Sequence, residues 1–127
     1  MIEERSDIMG VGGMGEDIAV NHLKKLGFRI VARNVRYSIG EIDIVARNKE
    51  GLHFIEVKTA DEDSFVPPLE EITPAKMRKI RQLAEVYIAD RRNGLHEEKL
   101  PPCHFDVVAV ELFHDIPRVE CIFDAFE

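Results

Sequence analysis

The sequence predicts a single α+β domain with the element order α-β-β-β-α-β-β. Two segments, near residues 16–27 and 74–92, repeat apolar residues at helical spacing, and five others alternate apolar and polar residues with the period of a strand. A length of 127 residues suits one domain. We read it as residues 14–127, behind a flexible Gly-rich segment at residues 1–13.

In the first helix, "EDIAVNHLKKLG" spaces Ile18, Ala19, Leu23 and Leu26 along the helix, with Glu16 and Asp17 in the first turn, Lys24 and Lys25 in the last, and Gly27 as the stop. "FRIVARNVRY" alternates as a strand. Two more strands follow, Glu41 to Ala46 and Leu52 to Thr59, and the short polar segment "RNKEG" between them makes a hairpin. After a loop, "ADEDSFVPPLEEI", Thr73 is suited to cap a helix and Pro74 to begin it. Met77, Ile80, Ala84 and Tyr87 then repeat along one face to about Arg92. "RNGLHEEKLPP" reads as a loop, and "CHFDVVAVELF" and "RVECIFDAF" as the last two strands.

Composition narrows the function classes. Hydrophobic residues make up 45% and charged residues 32%, and no apolar run nears the roughly 18 residues of a membrane span. "MIEERSD" opens with charge, so the expected address is the cytoplasm. Cys103 and Cys121 lack metal-ligand spacing and are expected as reduced thiols. A net charge of −7 requires that any nucleic acid be held by a local basic surface. Gly10 to Gly15, "GVGGMG", fits G-x-G-x-x-G, but no strand precedes it and no acid closes the next strand, so it reads as part of the lead-in.

The hairpin concentrates the chemistry. By strand alternation Glu41, Asp43 and Val45 face one way and Ile42, Ile44 and Ala46 the other; Phe54, Glu56 and Lys58 likewise oppose Ile55, Val57 and Thr59. A turn centred on Lys49 and Glu50 sets Asn48 opposite Gly51 and, in the same register, Asp43 opposite Glu56. Taken singly, each charge fits the solvated face of an ordinary sheet. Together, two facing carboxylates call for a cation, and their hard oxygens suit Mg²⁺ or Mn²⁺, with Lys58 beside the bound water and a developing phosphate charge.

"GEIDIVA" followed by "FIEVK" resembles the D…ExK signature of the PD-(D/E)xK nuclease superfamily. With "GEDIAVNHLKKLGFRIVARNVR" before, "ITPAKMRKIRQLAEVYI" after and "FDVVAV" late, Gly15 to Val110 resembles the YraN family of predicted bacterial endonucleases. The resemblance implies a restriction endonuclease-like α/β/α sandwich, a mixed central sheet flanked by helices. It implies Asp43, Glu56 and the Val57 carbonyl as metal ligands, Lys58 as the water-activating or phosphate-facing base, and Glu16 as the acid added by the first helix. Glu41 is a further candidate on Asp43's face. Lys76, Arg78, Lys79 and Arg81 offer the second helix as a phosphate-facing surface, or simply a solvated one. Asp106 reads as a structural strand residue, and His104 stands where relatives often have Arg.

The leading expectation is thus a Mg²⁺- or Mn²⁺-dependent nuclease acting on DNA, with a homodimer among the arrangements to test and no membrane partner. The alternative is a catalytically idle module that keeps the nuclease fold to bind nucleic acid or protein.

Overall fold

The computed structural model describes residues 11–60, 72–95 and 99–127. Helix α1 spans Val11–Lys25 and helix α2 Pro74–Ala89; the strands are β1 Arg29–Tyr37, β2 Gly40–Asn48, β3 Gly51–Ala60, β4 Cys103–Glu111 and β5 Arg118–Phe126. A short 3₁₀ turn, Arg91–Asn93, follows α2. The strands form one sheet in the order β1-β2-β3-β4-β5, in which only β3 and β4 run parallel. The α2 crossover makes that parallel pairing possible. No helix among the described residues is long and apolar enough to cross a membrane.

The sheet separates two apolar layers. Ala19, Val20 and Leu23 of α1 pack with Ile44, Ala46, Ile55, Val108 and Val110. Leu83, Ala84 and Tyr87 of α2 pack with Val45, Leu52 and Phe54. Neighbouring strand residues alternate between the layers, so one helix covers each face. Thr73 caps α2 as expected, its side-chain oxygen accepting the Lys76 N–H at 3.1 Å, and Pro74 begins the helix. Both cysteines are free thiols.

Helix α1 starts earlier than the pattern of the sequence implies. Val11 to Gly13, expected in the lead-in, are helical, while residues 1–10 lie outside the described residues. "GVGGMG" is therefore helix from Val11 onward, and Glu16 lies beyond the first turn, where it cannot serve mainly to complement the helix dipole. Gly15 lets this helix approach the sheet: a Cβ there would lie 1.9 Å from Thr59 Oγ1. The expected loop at 61–71 and residues 96–98 also lie outside the described residues.

Strand alternation fails at the bulge between Ile30 and Ala32 and again around Asp43. Ile42 packs in the α2 layer with Val45, not in the α1 layer with Ile44, and Ala32 and Val35 across the ladder do the same. The pairs Arg33 with Ile44 and Val35 with Ile42 bracket Asn34 and Asp43, and Asn34 has the left-handed φ of 52° that Asn tolerates. The expectation that Glu41, Asp43 and Val45 share one face is corrected accordingly. Both strands lose a step together, and Asp43 sits at the break.

Candidate functional site

The β2–β3 register follows the turn, with Asn48 opposite Gly51 and pairing continuing to Ile44 opposite Ile55. Asn48 Oδ1 accepts the Glu50 N–H at 2.9 Å, an Asx-type turn that pins the register. One step beyond the last pair, Asp43 and Glu56 come together. Asp43 does not point straight off the sheet: its Oδ2 accepts the Val57 N–H at 2.9 Å. The structure thus ties the Val57 N–H to Asp43.

Electrostatics at this point are unbalanced. Burial pushes the Asp43 carboxyl up to about 7, with the charge on Glu56 adding to it and those on Glu16 and Glu41 adding less, against the Val57 N–H. On the other side of Glu56, its Oε1 lies 3.5 Å from Lys58 Nζ and 3.7 Å from Lys76 Nζ. Lys76 stands in the first turn of α2, so the capped helix start delivers a second ammonium to the strand site. Glu16 is buried, and its Oε1 is 3.9 Å from Arg33 Nη2, which also donates to Asp17 Oδ1 at 2.7 Å. Glu41 accepts from Arg36 Nε at 3.2 Å.

The expected residues divide into two groups. Asp43, Glu56, Val57, Lys58 and Lys76 are linked by direct contacts, and Glu16 and Glu41 reach Asp43 by charge. Lys79 is exposed, and Arg81 Nη1 donates to the Glu127 carbonyl at 2.8 Å, so neither is drawn to Glu56 as Lys76 is. Asp43 and Glu56 fit a hard divalent cation by donor type. Among the described residues no group of three or more His, Cys, Asp or Glu is placed to hold an ion.

A second buried acid lies outside this group. Asp106, 1% exposed, sits 2.6 Å from His53 Nδ1 through Oδ2 and accepts the Asp124 N–H at 2.9 Å through Oδ1. His53 Nε2 is 2.9 Å from Asn48 Oδ1, the oxygen that also accepts from Glu50. Nε2 is therefore the donor there, and a further proton lies between Nδ1 and Asp106. His104 stacks on His53 with ring centroids 4.4 Å apart. The Glu50 carbonyl and the Asp124 carboxylate raise its pKa. Sequence reasoning missed His53. Its signal was a lone polar residue in the apolar run "GLHFIEV".

The family described as Uncharacterised protein family UPF0102 matches residues 15–110. A UPF0102 protein of Geotalea uraniireducens is 40% identical over 126 residues, covering 98% of this chain and 95% of that protein. One from Symbiobacterium thermophilum is 46% identical over 101 residues, covering 80% and 81%, and one from a Mycobacterium species is 38% identical over 104 residues, covering 80% and 73%.

Proposed function

The chain belongs to the uncharacterised protein family UPF0102, and we propose that it is a metal-dependent nuclease that hydrolyses phosphodiester bonds in DNA. The observation that carries this reading is the meeting of Asp43 and Glu56 at one end of the hairpin, with Lys58 and Lys76 on Oε1 of Glu56. The resemblance of the D…ExK pattern to the PD-(D/E)xK nucleases supports it further.

Asp43 and Glu56 would hold Mg²⁺ or Mn²⁺, with the Val57 carbonyl proposed to complete the protein's share. Bound there, the ion would supply Lewis-acid polarisation of the phosphate and a more acidic water. In the reaction, water attacks phosphorus and loses a proton to solvent, the bridging P–O bond breaks, and the leaving alkoxide takes up a proton from solvent. Lys58, paired with a carboxylate, is an ammonium, and its role here is to donate to the phosphoryl oxygens as their charge grows. Lys76 holds the same phosphate from the helix side. Glu16, fixed by Arg33, deepens the negative field that draws the cation.

The test is incubation of the purified protein with labelled linear, flapped and four-way DNA in Mg²⁺ or Mn²⁺. The wild type cuts, and Asp43→Ala and Lys58→Ala each lower the rate by at least about 10²-fold, the usual cost of losing a charge-stabilising group. Cutting that survives Asp43→Ala overturns the assignment. A second reading, a module that binds without cutting, is favoured by one observation: the two lysines already offset the charge of Glu56 without an ion. Saturable Mn²⁺ binding that disappears in Glu56→Ala counts against that module.

A further inference from the structure

Most arginines with a described partner are tied to an acid or carbonyl: Arg33 to Asp17, Arg36 to Glu41, Arg81 to the Glu127 carbonyl and Arg92 to Asp90. Arg29 and Arg47, like Arg78, Arg91 and Arg118, have no side-chain hydrogen bond or ion pair among the described residues, but they alone of the arginines face each other across a ladder. The β1–β2 register sets them directly opposite each other. Directly opposed residues in an antiparallel ladder have Cβ atoms only about 4.5–5.5 Å apart on one face, where like charges destabilise the pair. In a chain of net charge −7, no general excess of base accounts for two guanidiniums placed side by side.

We propose that Arg29 and Arg47 form a phosphate-binding fork for the sugar-phosphate backbone of a nucleic acid. A phosphate between them would replace repulsion with two charge-assisted, potentially bidentate contacts. The exposed Lys49 in the adjoining turn adds to the same positive end. Ala46 packs towards α1, so Arg47 faces the α2 side, from which Lys76 reaches Glu56. Asp43 and Arg47 are four residues apart on β2, which at about 3.4 Å per residue separates them by roughly 14 Å. The fork thus grips the backbone at a point removed from the phosphate at Asp43. The choice of nucleic acid rests on the nuclease reading, whereas the anion site rests on the arginine pair alone.

The experiment measures fluorescence anisotropy of a labelled 20-base-pair duplex with the full chain in EDTA, across a KCl series. Wild type binds, and Arg29→Ala/Arg47→Ala weakens binding about 10–100-fold and lowers the slope of log K against log salt by about 1–2. Arg29→Lys/Arg47→Lys, with its charge and fold kept, retains the salt slope while losing part of the affinity. A double alanine variant that melts as the wild type does yet binds with unchanged affinity and slope overturns the fork, as does wild type that binds no duplex. Fork-dependent binding by a protein that never cuts would sink the nuclease reading and leave the fork standing.

Discussion

Asp43 and Asp106 are both aspartates set into strands of one sheet, yet their surroundings differ in kind. Asp106 is enclosed by groups that balance it: His53 at 2.6 Å with a shared proton, and the Asp124 N–H on its other oxygen. Asp43 receives one backbone N–H and otherwise faces Glu56, with Glu16 and Glu41 behind. Burying a charge is tolerable when it is paired and hydrogen-bonded, and costly when it faces its like. The Asp106 network closes on itself and ties the β2–β3 turn to β4 and β5. Asp43 itself has no cationic partner among the described residues, a lack that a bound cation would fill.

The comparison predicts effects of opposite sign. Asp106→Ala, which strands His53 in a buried site without its partner, should cost about 3–5 kcal/mol in urea unfolding, the range for breaking a buried pair. A loss under about 1 kcal/mol would make the two acids alike. Asp43→Asn should instead stabilise the metal-free protein at pH 8. Folded Asp43 keeps its proton to about 7 against an ordinary value of 3.8, so its stabilising contribution is intact below about pH 4 and is lost as the pH climbs through 7. The asparagine cannot ionise and still accepts the Val57 N–H. We expect a gain of roughly 2 kcal/mol at pH 8 that vanishes by pH 4 and narrows when Mg²⁺ stabilises the wild type alone. Thermal melts in EDTA at the two pH values check it; equal curves at pH 8 would break the contrast.

The smallest effect concerns how Glu16 is brought to Asp43. Gly15→Ala puts a methyl against Thr59 and should cost roughly 1–2 kcal/mol by overpacking, with part of the loss recovered in Gly15→Ala/Thr59→Ala. Calorimetric melting of the two variants separates this from a simple helix-propensity gain, which would raise stability in both.

Several elements were legible because their causes are local. Lys49 and Glu50 set the hairpin register, Thr73 and Pro74 start α2, and apolar spacing places Ile80, Ala84 and Tyr87 in its core. Three features were not legible because each depends on residues distant in sequence. The alternation break needs Asn34 and Asp43 to yield together across a ladder. The His53–Asp106 contact needs β3 and β4 to pair in parallel through a crossover. Arg81 is tied to the far end of the chain, at Glu127.

The sequence by itself determined the hairpin register, because a two-residue turn leaves little choice of pairing, whereas the direction of Asp43 departs from the period of two. Only the tertiary structure decided what surrounds Asp43 and Glu56. The capped start of α2 brings Lys76 to Glu56, and the close approach at Gly15 brings Glu16 behind Asp43. The other end of the same hairpin is anchored to β4 and β5 by a buried pair that neutralises itself. Charge balance inside a protein depends on every element packed around a group, and no single strand carries that information.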